Sequence, residues 1–145
     1  MPRADFYILP EQGDREKFSC ELASKIRRQE LDIHIHTASR DEAKKLDTML
    51  WTFKDTSFLP HTMLEDDKGV SQLTIGWNDN IGTSKSVLIN LSSSIPQFAD
   101  AFERVVEIVP AQESSRQQAR LHYKHYRDAG FDMHNHDLNS GYGSD

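Results

Sequence analysis

Apolar and polar positions fall into short blocks along the chain, each with its own period. Ala4–Leu9 (ADFYIL) is a β-prone run closed by Pro10 and the polar turn EQGD. Asp14 stands where it can cap a helix through about Gln29, with Phe18, Leu22 and Ile26 at i, i+4 and i+8 on one side. Asp32–Thr37 (DIHIHT) alternates, which predicts a strand with Ile33 and Ile35 facing one way and His34 and His36 the other. Ser39 and Glu42 form a capping box for a second helix, striped by Ala43, Leu46 and Leu50 and ending before Pro60. Trp51–Asp67 keeps neither period and reads as a loop, large apolar groups first and acids after. Leu73–Trp77 and Ser86–Leu91 are strands around the polar NDNIGTSK connection. Pro96 opens a short helix to about Phe102, and Arg104–Val109 is a strand stopped by Pro110. A basic helix follows, ending near Phe131. From Asp132 onward the pattern is lost, so residues 132–145 are expected to be a flexible polar tail.

The order β-α-β-α-β-β-α-β-α favours an α/β fold: a twisted, largely parallel sheet with helices on both faces. The 145 residues show no internal repeat and no dividing linker, so residues 1–131 are read as a single domain. Such a Rossmann-like topology raises the question of a nucleotide. Neither GxGxxG nor GxxxxGK[ST] occurs, and the turn after the first strand, Pro10–Asp14, carries two acids that would repel a pyrophosphate. The topology therefore comes without a nucleotide-binding loop.

Charge changes the picture most at the basic helix. The chain has 17 Lys+Arg against 23 Asp+Glu, a net charge of -6, which argues against non-specific adhesion to DNA or anionic membranes. Yet Arg116, Arg120, Lys124 and Arg127 follow one another with no acid between them. On a helix they share a wedge of roughly 80°, bordered by Tyr123, while Ala119, His122 and Tyr126 continue round as a core-facing stripe. A basic ribbon beside an aromatic ring suits an anionic ligand with an apolar end. The competing reading is a solvated face whose cations complement the helix dipole.

Catalytic chemistry finds little support. His34 with His36, and His134 with His136 and Asp137, are too few for a zinc site, and Cys20, the only cysteine, has no evident partner. A lone cysteine and the lack of any signal peptide or membrane span point to the cytoplasm. Ser92–Ser94 lack a GxSxG elbow and are explained by a turn. No catalytic residue, metal or cofactor is expected. Trp51, Phe53, Phe58, Leu59 and Pro60 lie within ten residues. Phe53 is expected to turn inward, whereas Trp51, Phe58 and Pro60 suit an exposed patch of the kind that anchors a partner.

Several spaced positions resemble the chi-subunit family of the bacterial DNA polymerase III holoenzyme, over nearly the whole chain. They are Phe6, Tyr7 and Leu9; Asp47, Leu50 and Trp51; Ser57, Phe58, Pro60 and His61; Ile108–Pro110; and the run from Ala119 to Phe131. The resemblance implies a non-catalytic clamp-loader accessory protein with an α/β fold and no nucleotide. It implies two partners, the acidic C-terminal tail of single-stranded DNA-binding protein and the psi subunit, with DNA contacted only indirectly and no membrane. Carried over by position, Arg120, Tyr123 and Lys124, then Arg127 and Val109, form the tail site. Trp51, Phe58, Pro60 and His61 fall on the psi-facing surface, where a helicase or repair factor would compete. Both sets coincide with features that stand out without the family. The alternatives are a small nucleotide-binding enzyme or switch of Rossmann-like topology, and direct single-strand binding through Arg116–Arg127.

Overall fold

The computed structural model describes residues 2–52, 60–63, 72–78 and 86–138. Its strands are β1 (Arg3–Ile8), β2 (Ile33–His36), β3 (Thr62–Met63), β4 (Leu73–Gly76), β5 (Val87–Asn90), β6 (Arg104–Val109) and β7 (Asp132–Asp137). The helices are α1 (Arg15–Arg28), α2 (Arg40–Thr52) and α3 (Glu113–Asp128), with a 3-10 turn at Gln97–Ala101. One seven-stranded sheet runs in the order β3-β4-β2-β5-β6-β1-β7. Every pairing in it is parallel.

The apolar periods set which face each element covers. Leu22 and Ile26 of α1 and Leu46 and Leu50 of α2 pack on Tyr7, Ile33, Ile35, Ile75, Ile89 and Val106. Tyr126 of α3 packs on the other face with Ala4, Phe6, Leu88, Phe102, Val105 and Val109. Helices on both faces of a parallel sheet leave its central strands dry, hence the unbroken burial of β2, β4 and β5 and of all but the end positions of β1 and the first of β6.

Helix ends follow the predicted chemistry. The Asp14 side chain accepts from the N–H groups of Glu16 and Lys17 at 3.0 and 3.1 Å. Ser39 Oγ accepts from Glu42 N–H at 3.2 Å, and Glu42 reaches back to Ala38 N–H at 3.1 Å. In the β1–α1 turn a Cβ on Gly13 would stand 2.8 Å from Leu9 Cβ. Glycine is there for close packing, with Glu11 and Asp14 beside it, and this is no phosphate cradle.

Two expectations are corrected. The polar tail was expected to begin at Asp132, yet residues 132–137 form β7, in full register with β1 from Arg3↔Asp132 to Ile8↔Asp137. Helix α3 ends in a Schellman turn: Gly130 has φ 91°, its N–H donates to Arg127 O, and Phe131 N–H donates to Tyr126 O. Phe131 then packs on Tyr126, and the chain enters β7 at once. An edge strand needs no strong apolar alternation, since its backbone bonds to β1 and Met133 is its only apolar side chain packed on the core. The other correction concerns the loop from Trp51: α2 continues to Thr52, and Thr62–Met63 adds a short edge strand.

Buried polar groups tie these layers together. Asp5 is fully buried and accepts from Arg3, from Arg104 Nε at 2.9 Å and, at 2.8 Å, pairs with His136 Nε2. Burial pushes its carboxyl up, but the bonds from Arg3 and His136 and the Arg104 charge outweigh it and hold the group below the usual carboxylate range. His34 is buried against Phe102, its Nδ1 2.8 Å from Thr74 Oγ1, and burial lowers it to about 4. It is a neutral core histidine.

Candidate functional site

A cleft of about 500 Å³ opens between α3 and the β6–β1–β7 edge of the sheet. Phe6, Ile8, Val109 and Ala119 give it an apolar floor, Arg116, Arg120 and Tyr123 of α3 form one wall, and Asn135 and Asp137 of β7 form the other. The parallel register of β7 on β1 puts Asn135 beside Phe6 and Asp137 beside Ile8, on the side that α3 covers. Tyr123 is half-buried, its ring 5.4 Å from that of Phe6, so one edge is anchored in the core while the rest faces the cleft. Arg116 Nε is buried with no hydrogen-bond partner, a donor still owed an acceptor. Two guanidinium groups, a phenol and an apolar floor thus meet in one concavity. Asp137 marks the end of it that a ligand carboxylate must avoid.

Three of the five residues assigned to the tail site, Val109, Arg120 and Tyr123, line this cleft. Lys124 and Arg127 are exposed on the same helix outside its lining, and Arg127 Nε lies 3.5 Å from Asp128. Arg116 does line it, one turn before Arg120. Its place in the basic wedge was visible, and spacing at i and i+4 was the signal. Asn135 and Asp137 gave no signal, because their strand was read as a tail.

Helix α3 is held over the sheet by buried Glu107. Tyr126 Oη donates to Glu107 Oε2 at 2.8 Å, Asn90 Nδ2 donates to the same oxygen at 2.9 Å, and His122 Nδ1 lies 3.2 Å from Oε1. Burial would lower the His122 imidazole, but the Glu107 hydrogen bond and charge outweigh it and raise the group. Its contribution to stability is therefore complete below pH 6.5 and is lost as pH rises through the raised folded value. A His122→Gln variant should lose this part of the pH dependence. Urea unfolding across pH 5.5 to 8.5 (a window of about three units) checks it: equal slopes in both proteins would refute the assignment.

Trp51 ends α2 with 48% of its surface exposed. Its ring centroid lies 3.9 Å from that of His61, which is itself buried, with Nε2 3.3 Å from Asp47 O. Pro60, exposed, adjoins. The indole is thus propped outward on a fixed imidazole rather than folded into the core. Phe58 and Phe53 lie outside the described residues.

The sequence model described as "DNA polymerase III chi subunit, HolC" matches residues 1–134. The chain belongs to this family. It is 34% identical over 140 residues to the DNA polymerase III subunit chi of Pseudomonas aeruginosa, covering 95% of this chain and 98% of that protein. The subunit chi of Escherichia coli K12 is 34% identical over 141 residues, with 92% and 96% covered. That of Haemophilus influenzae is 31% identical over 134 residues, with 90% and 93% covered. The matched span takes in the Arg116, Arg120 and Tyr123 wall of the cleft and its apolar floor, while Asn135 and Asp137 of the other wall fall just beyond it. No helix among the described residues is long and apolar enough to cross a membrane.

Proposed function

We propose that this chi-family chain is a non-catalytic adaptor of the polymerase III clamp loader. Its cleft under α3 takes the acidic, aromatic-ended tail of single-stranded DNA-binding protein, and its Trp51 corner takes the psi subunit. The observation that carries this is the meeting of Arg116, Arg120 and Tyr123 over the apolar floor of Phe6, Ile8 and Val109. A tail of aspartates ending in a ring needs guanidinium forks for the carboxylates and an apolar slot for the ring. Lys124 and Arg127, outside the lining, act on the approaching tail as exposed charges. The acidic body, with a net charge of -6, disfavours non-specific adhesion to DNA.

Calorimetric titration with an acid-rich peptide ending in Phe tests the reading. Affinity should be of roughly micromolar order at low salt, as small interfaces give, and fall at least about tenfold as salt contracts the Debye length from ~10 to ~5 Å. An affinity indifferent to salt would refute the charge-led part of the site. Trp51→Ala should weaken binding of the second partner by about 2 kcal/mol and leave peptide affinity unchanged. A loss of both together in the same titrations would mean that the two surfaces are one.

A further inference from the structure

The opposite face of the β1–β7 edge carries a second cleft, of about 450 Å³, between the C-terminal half of α1 and strands β1, β6 and β7. Lys25 and Arg28 of α1, Arg104 of β6 and His136 of β7 line it, with Tyr7 and Ile26 as its apolar part. Among the described residues none that lines it is acidic, on a chain whose net charge is -6. Arg104 is fixed in place: Nε donates to Asp5 at 2.9 Å and Nη2 to the Tyr7 hydroxyl at 2.8 Å. Asp5, the carboxylate beneath, is already shared among Arg3, Arg104 and His136. Lys25 and Arg28 have no hydrogen-bond or ion-pair partner among the described residues. The last carbonyls of α1 do not occupy them, since Ile26 O and Arg27 O accept from the N–H groups of Gln29 and Glu30.

We propose that this cleft binds a phosphate group. A lysine point charge and two guanidinium groups from two separate elements suit a compact, multiply charged anion. A peptide with an aromatic end suits it poorly. Tyr7 is buried and stacked on His136, centroids 4.3 Å apart with 9° between the planes, so the ring surface that a second ring would use is already covered. The site adds to the adaptor role and does not rest on it. Two sources present the same chemistry: a backbone phosphate of single-stranded DNA, or a free phosphate compound such as pyrophosphate.

The test is titration of the full ¹⁵N-labelled chain with pyrophosphate, and separately with oligothymidylate, following the resonances of Lys25, Arg28 and His136. Saturable shifts confined to this cleft are expected. The double variant Lys25→Ala/Arg28→Ala should bind at least about tenfold more weakly, as loss of two charge-assisted contacts requires, while its affinity for the acid-rich peptide stays that of wild type. Tighter binding of the oligonucleotide assigns the phosphate to DNA, and tighter binding of pyrophosphate assigns it to a free compound. No saturable shift with either probe, or equal affinity in the double variant, overturns the proposal. So does an acid-rich peptide that occupies this cleft more tightly than either phosphate probe. The cations then serve only the helix end, or a peptide.

Discussion

Arg120→Glu is expected to weaken binding of an acid-rich, aromatic-ended peptide by at least about 100-fold at low salt and to leave the unfolding midpoint where it is. The two halves of that expectation rest on different surroundings. In the free protein Arg120 is exposed, and its ion pair to Glu113, at 3.5 Å, joins two side chains each about two-thirds exposed. Such a pair contributes less than about 1 kcal/mol, so the fold does not depend on it. In the cleft the same guanidinium meets a carboxylate over an apolar floor. There a charge-assisted bond contributes about 1.5–3 kcal/mol, and a glutamate in its place adds repulsion from Asp137 and from the ligand. Arg120→Lys should keep part of the affinity, because charge survives while the fork is lost. Calorimetry together with urea unfolding reads both quantities. A charge-reversed protein that binds within about threefold of wild type would move the peptide site away from α3.

Asp5→Ala should cost about 3 kcal/mol of stability. Asp5 is fully buried and joins three strands through Arg3 of β1, Arg104 of β6 and His136 of β7. Removing one partner of a buried ionic set leaves the others uncompensated, at about 3–5 kcal/mol. The lower end applies here, because Arg3 is 41% and Arg104 18% exposed and both can turn toward water. Since its folded pKa is depressed, Asp5 contributes stability above its unfolded value of 3.8 that is lost as pH falls through the folded one. The variant should therefore differ most from wild type near neutrality, and the gap should narrow in acid. A gap that widens on acidification in urea melts would contradict the assignment.

How much of this was legible depended on whether a residue's role is written in its neighbours along the chain. The cap at Asp14, the box at Ser39 and Glu42, and the stripes of α1 and α2 are local, and they stand where their spacing put them. The strand at Asp132–Asp137 is not local. Its sequence, DMHNHD, carries no apolar alternation because its support comes from β1, far away in sequence. Only the Gly130–Phe131 pair hinted that the chain reverses there. That omission also hid half of the candidate site, since Asn135 and Asp137 had no reason to be placed opposite Arg120. Helical spacing, by contrast, was enough to group Arg116 with Arg120 and Tyr123. It could not tell which cations of the ribbon sit over the concavity, because that depends on where α3 crosses the sheet. Trp51 was legible as an exposed aromatic, whereas its support by buried His61 is a contact between positions ten apart that no local period encodes.

The pairing of β1 with β7 has a kinetic consequence. Residues 3–8 must find residues 132–137, the most distant partners in the sheet, so this ladder carries a large loop-closure entropy and should form late. Both clefts take a wall from that ladder. Recognition should therefore mature after most of the hydrophobic nucleus has consolidated, and a half-folded chain would be compact yet unable to hold either ligand.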